Sequence, residues 1–188
     1  MKDMRQTLML FIAFTLLLGG AYPLIVTGIA QLAFPGRANG SFVADAGGVS
    51  VGSRLIGQPF TGAKYFWPRP SATDGFPYNP MASGGSNAGP TNPDYLRTVA
   101  QRVRALRESG VTRTLPAELV QASASGLDPE ISPQGAAIQA ERVARARGMK
   151  AVDLERLIAK HTRGRQLGFI GEPRVNVLEL NLALDAMK

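Results

Sequence analysis

The chain contains no cysteine, which removes a disulfide framework and any thiolate metal site but leaves the compartment open, since exported domains also fold without disulfides. His161 is the single histidine among 188 residues, so most hydrolytic schemes lose their general base. Its place near a helix end, beside Lys160 and Arg163, is explained by the helix dipole. The sequence carries no G-x-x-x-x-G-K-[ST] phosphate loop, no G-x-S-x-G elbow and no H-E-x-x-H pair. Its acids, Asp74, Asp94, Asp128, Glu130 and Glu172 among them, are scattered through turn signals rather than paired. No catalytic residue and no metal ligand is assigned on these grounds. Internal repeats and low-complexity tracts are also missing.

Charge is missing from one long stretch. Between Gln6 and Gly36 no charged residue occurs, and Leu8 to Phe34 is interrupted only by Thr15, Tyr22, Thr27 and Gln31. About 20 apolar residues suffice to cross roughly 30 Å of hydrocarbon, so residues 8–34 read as a membrane-spanning helix. Pro23 falls inside it, where a kink is tolerated because neighbouring helices or Thr hydroxyls can satisfy the freed carbonyl, and Thr27 lies one turn beyond it. A cleaved signal peptide is the rival, because Lys2 and Arg5 form a basic start and Gly19-Gly20-Ala21 resembles a cleavage site. Its apolar core would stop after about 7–15 residues, and this run continues well past that point. Lys2 and Arg5 precede the span and only Arg37 follows closely, so residues 1–7 are expected in the cytoplasm and the rest outside it.

That placement bears on the charge balance. The net charge of +7 and pI of about 10.2 would otherwise suggest nucleic acid, which a domain beyond the membrane does not meet. Most of the arginines read instead as solvated helix faces, with anionic lipid headgroups or an acidic partner surface open to some of them. Residues 35–47 carry loop punctuation and read as a linker, and 48–188 as one small α+β domain. Val49, Val51, Leu55 and Ile56 predict a strand bent at Gly52. Asn92-Pro93-Asp94 and Ser132-Pro133 predict two helix starts, with Gly110 and Gly148 as stops. A third helix is expected over 151–161. The segment from Arg174 onward alternates and then becomes leucine-rich, predicting a strand that ends in a helical turn.

Two loops remain as candidate sites. Residues 65–78 concentrate Tyr65, Phe66, Trp67, Phe76 and Tyr78 among prolines and Arg69. Trp, Tyr and Arg are common binding anchors, and proline-fixed loops lose little entropy on docking, yet the same aromatics serve equally to pin the loop to its own domain. Tyr65, Phe66, Trp67, Arg69 and Tyr78, with Pro23 in the span, are the partner-interface candidates. Ser83, Gly84, Gly85, Ser86 and Asn87 form a glycine-rich turn of the kind that can cradle phosphate. Such a cradle sits directly at a helix N-terminus, however, and Ala88 to Thr91 intervene here.

In order along the chain, "GGAYPL", "GSRLIGQPFTG", "YFWPRPSA", "YNPMASGGSN", the Asn92-Pro93 helix start, "ASASGLDPEISP" and "GEPRVNVLELNLALD" resemble the C subunit of the Kdp potassium-transporting ATPases over nearly the whole length. Pro68 stands where that family commonly has Gly, and Glu130 where it often has His or Asn. The resemblance implies a non-catalytic, single-pass subunit of the bacterial inner membrane, its main domain periplasmic, whose partners are a channel-like subunit, a P-type ATPase subunit and the lipid bilayer. It implies potassium as the transported ion and no bound cofactor of its own, with ATP acting through the complex. It further implies complex stabilisation and a raised ATP affinity of the pump, the Ser83–Asn87 loop being likened to the signature loop of transport ATPases. Direct nucleotide binding by this loop, and an outer-surface binding domain unrelated to transport, are the alternative readings.

Overall fold

A computed structural model of the chain describes residues 2–45 and 47–187. Met1, Ala46 and Lys188, which fall within the cytoplasmic, linker and domain segments expected above, lie outside the described residues. The chain divides into two compact units, Met1–Phe42 and Val43–Lys188, so the division falls inside the stretch read as a linker.

The first unit is one continuous helical rod over Lys2–Ala33, long and apolar enough to cross a membrane. It consists of α1 (Lys2–Leu16), a π-helical turn at Leu17–Ala21 and α2 (Tyr22–Ala33). The relief at Pro23 comes from the helix backbone itself. Proline has no N–H, and its ring crowds the carbonyl four residues back. The widened turn absorbs this at Gly19 and Gly20, with the Tyr22 N–H donating to the carbonyl of Leu17 instead of to that of Leu18. Beyond Ala33 the linker is more ordered than its composition suggested. α3 (Pro35–Ala38) opens on proline at N1, and Asn39 Nδ2 donates to the Pro35 carbonyl at 2.8 Å and to Gln31 Oε1 at 3.2 Å.

β1 (Phe42–Ala44), which begins at the last residue of the first unit, and β2 (Ser50–Ser53) form a two-stranded sheet. β2 is shorter than its sequence pattern: Gly52 takes φ +151, and Leu55 and Ile56 fall in the turn that follows. The main sheet is antiparallel, in the order β3 (Glu130–Ile131), β5 (Arg174–Asn176), β4 (Thr162–Arg163). Three helices cover it: α5 (Pro133–Arg147), α6 (Ala151–His161) and α7 (Val177–Asp185). The core runs through Ile131, Val143, Leu154, Val175, Leu180 and Leu184.

Local chemistry sets these boundaries. Ser132 Oγ accepts from the Gly135 N–H at 2.9 Å to cap α5, which ends at Gly148 with φ +66. α4 (Pro93–Glu108) begins where Asn92 Oδ1 accepts from the Asp94 and Tyr95 N–H groups. α7 is a helix of 9 residues where a single terminal turn was expected. Asn176 Oδ1 accepts from the Glu179 N–H at 3.0 Å, a cap followed by an acid three residues later that switches the leucine run from strand to helix. The apolar stripe of α4 is only shallowly used, since Leu106 is its one buried residue.

Candidate functional site

The aromatic loop is held by side chains rather than by secondary structure. Asn181 on α7 grips Phe66 through both backbone groups: the Phe66 N–H donates to Oδ1 at 2.9 Å, and Nδ2 donates to the Phe66 carbonyl at 3.0 Å. Gln139 on α5 repeats this at the next residue, accepting from the Trp67 N–H at 2.8 Å and donating to the Trp67 carbonyl at 3.1 Å. Two buried amides thus act as surrogate strand partners, which satisfies a backbone that could not otherwise be buried. Arg142, only 3 % exposed, donates to the carbonyls of Ala63 and Tyr65 at 2.7 and 3.0 Å and to Gln139 Oε1 at 2.7 Å. Its guanidinium stacks 4.3 Å from the Trp67 ring centre. Burial lowers its pKa from the usual guanidinium range to about 10, which still leaves it cationic at neutral pH.

The interface candidates therefore separate. Phe66 is fully buried, at 0 % exposure, and Tyr78 is 8 % exposed. Phe66 packs the core of its own domain and offers no face to a partner, a correction to the interface expectation. The physical reason is the pair of amide clamps, which turn its backbone inward and leave its ring no route to the surface. Tyr78 is anchored likewise, its hydroxyl donating to the Arg69 carbonyl at 2.6 Å while Ser71 Oγ accepts from its N–H. Burial pushes that phenol's pKa well above its usual range. Arg69 pairs with Asp128 at 2.9 Å. Tyr65 and Trp67 remain half-buried, Tyr65 bonding to Asp185 and lying under Arg147, which also reaches Asp185 at 2.6 Å. Trp67, Pro70 and Tyr78, together with Arg102, Ala105 and Leu106 of α4, border an open groove of about 450 Å³. Pro23 belongs to the other unit.

The glycine-rich turn is bound to its own domain as well. The Gly84 N–H and the Ser83 hydroxyl both donate to the Ser125 carbonyl, at 2.9 and 3.0 Å. A Cβ on Gly85 would sit 3.0 Å from the Ala124 carbonyl oxygen, and one on Gly126 2.7 Å from that of Gly84, so the two loops meet backbone to backbone. Ser86 and Asn87 stay exposed, Asn87 with φ +47. The nearby N-terminus of α4 is capped by Asn92, whose Oδ1 already accepts from the Asp94 and Tyr95 N–H groups, and Asp94 adds a negative charge there that disfavours an anion. Among the described residues, no group of three or more His, Cys, Asp or Glu side chains is placed to hold a metal ion.

Gln139, Arg142 and Asn181 were not singled out in the sequence. A signal was present for two of them. Gln139 and Arg142 fall at helical spacing on the stripe made by Ala136, Ala140 and Val143, all buried, and polar residues on a small-residue stripe mark a polar contact across it. Asn181 lies within a leucine run and gave no such cue.

The amide clamps join segments from early, middle and late parts of the second unit, so a relationship covering the whole chain is the relevant one. The family model described as the c chain of K+-transporting ATPases, KdpC, matches residues 4–186. The chain belongs to the KdpC family. A relative from Geobacter sulfurreducens, the "Potassium-transporting ATPase KdpC subunit", is 64 % identical over 187 residues, covering 100 % of this chain and 99 % of the relative. Proteins of the same name from Citrifermentans bemidjiense and Methylococcus capsulatus are 64 % and 53 % identical, each over 98 % of this chain and 97 % of the relative. Both candidate loops and their clamping residues lie within the span that the KdpC model covers.

Proposed function

We propose that this chain is an accessory, non-catalytic subunit of an ATP-driven potassium uptake pump, anchored by its N-terminal helix in the bacterial inner membrane with residues 48–188 on the periplasmic side. It braces a channel-like chain and an ATP-hydrolysing chain. Membership of the KdpC family over residues 4–186 carries this reading. It is supported by the rod at Lys2–Ala33, long and apolar enough to span, and by Lys2 and Arg5 on its leading side. The glycine-rich turn supports the non-catalytic part, because the Gly84 N–H and the Ser83 hydroxyl are already engaged by Ser125. Any effect on the pump's ATP affinity is then conveyed through contact with the companion chains and not by nucleotide held here.

Mild solubilisation tests the role: the tagged chain should co-purify with a potassium-stimulated ATPase, and a chain recovered alone would sink the proposal. Equilibrium dialysis of the full-length chain against ATP tests the second part, with no binding expected. Substituting Gly85 cannot serve alone as that test, since any side chain there crowds the Ala124 carbonyl and would disturb the loop with no nucleotide involved. Protease added to spheroplasts should remove a C-terminal tag and spare an N-terminal one.

A further inference from the structure

We propose that the loop between β4 and β5 is a docking knob that inserts Leu167, Phe169 and Ile170 into an apolar socket on a companion chain of the complex. β4 and β5 pair with Arg163 opposite Arg174, and the chain between them leaves the sheet as a tight projection. Gln166 and Ile170 exchange backbone hydrogen bonds of 2.8 and 2.9 Å, closing a tip of three residues. Below them Arg165 Nη2 donates to both carboxylate oxygens of Glu172 at 2.8 and 2.7 Å, tying the two legs together. At the tip Leu167 is 83 % exposed, Phe169 71 % and Ile170 47 %.

The backbone at the tip is informative. Leu167 and Gly168 both take positive φ, +52 and +84. Glycine adopts that region freely, whereas a leucine there crowds its own carbonyl. Asn or Gly at 167 would build the same turn with less strain. The leucine gains nothing from its own domain in exchange, since its side chain lies in solvent. Strain held at an exposed position and uncompensated within the chain points to use by a partner.

The surrounding charges favour protein over lipid. An apolar tip that enters a membrane surface is usually ringed by cations free to meet anionic headgroups. Here all three arginines of the legs are committed to acids: Arg163 to Glu179 at 2.6 Å, Arg165 to Glu172 at 2.7 Å and Arg174 to Glu130 at 2.9 Å. A neutralised collar around a preorganised aromatic and aliphatic tip matches the core and rim of a protein interface, where a few buried anchors carry the affinity. The chain is already held in the bilayer by a far longer apolar rod, so a small lipid contact would add little anchorage. The inference rests on the proposed subunit role, which supplies the companion chain.

The test uses the full-length chain co-expressed with its companions. Leu167→Asn combined with Phe169→Ser should lower retention of the companions in mild detergent by at least about tenfold, the loss expected of a hot-spot anchor. Leu167→Asn alone should leave the unfolding midpoint unchanged or higher, the opposite of what a structural role predicts. A benzophenone side chain in place of Phe169 should crosslink to a companion polypeptide on illumination. Adducts to phospholipid alone, or undiminished retention in the double variant, would overturn the knob while leaving the subunit role intact. Failure of the unsubstituted chain to retain any companion would overturn both.

Discussion

Two loops of the second unit carry prominent aromatic side chains, and they use them in opposite ways. Residues 65–78 hold most of the aromatics of this unit, including the only tryptophan, yet Phe66 and Tyr78 are buried, the backbone at 65–67 is clasped by Gln139, Arg142 and Asn181, and Tyr78 is tied to Ser71 and Arg69. Residues 164–172 contain a single aromatic and display it, with two aliphatic neighbours, on a stem closed by an ion pair. Aromatic density therefore does not distinguish an interface from an anchor. What distinguishes them is whether the domain supplies partners for the loop's backbone. Where distant side chains hold the backbone, Phe66 is drawn fully into the core and Trp67 half-way, and where the only closure is the loop's own hairpin the side chains remain outside.

The largest expected effect breaks the inward loop. Phe66→Ala should destabilise the domain by about 3–5 kcal/mol, the range for deleting a fully buried aromatic ring, measured by chemical denaturation in detergent. Next comes Asn181→Leu, which keeps the volume but leaves the Phe66 N–H and carbonyl buried without partners. It should cost about 2–4 kcal/mol, as two unmet backbone groups would. If it instead proved neutral, the clasp would be ornament and the loop would be held by its rings alone. Gly126→Ala should cost about 1–3 kcal/mol, because the new methyl meets the Gly84 carbonyl and the residue sits at φ +67. The outward loop gives the reverse sign: Leu167→Asn should raise stability by about 0.5–1 kcal/mol through relief of the left-handed strain.

The smallest effect is one of pH. Burial, opposed by Glu179 and assisted by Lys160 and Arg163, lowers the pKa of His161 below its ordinary 6.5. The folded state thus prefers the neutral ring. Its contribution to stability is present above about pH 6.5 and is lost as the pH falls through the lowered folded value. His161→Gln should slightly flatten the acid side of a stability profile, and a steeper acid limb in the variant would contradict this.

Legibility from sequence followed the range of the interactions. The spanning rod was readable because one uninterrupted apolar run exceeds any ordinary soluble need. The starts of α4 and α5 were readable because Asn92-Pro93 and Ser132-Pro133 act on N–H groups two or three residues away. The helix 151–161 was readable from Leu154, Leu157 and Ile158. α7 was understated because a run of leucines suits strand and helix alike, and its cap at Asn176 was overlooked. The π turn was missed because how proline's strain is relieved depends on which neighbouring turn gives way. The candidate site was least readable: Gln139 bonds to Trp67 across 72 positions and Asn181 to Phe66 across 115, and no local pattern encodes such a pairing.

The order of residues alone settled that this chain has a membrane-length apolar rod and a small α+β unit behind it, because length, periodicity and capping are short-range properties, and its segments carried the resemblance to the KdpC family. Only the tertiary structure decided which aromatics are core and which side chains face outward. That choice depends on whether a distant residue arrives to satisfy a buried N–H or carbonyl, and the free energy of an unsatisfied group exceeds any preference a local sequence can express.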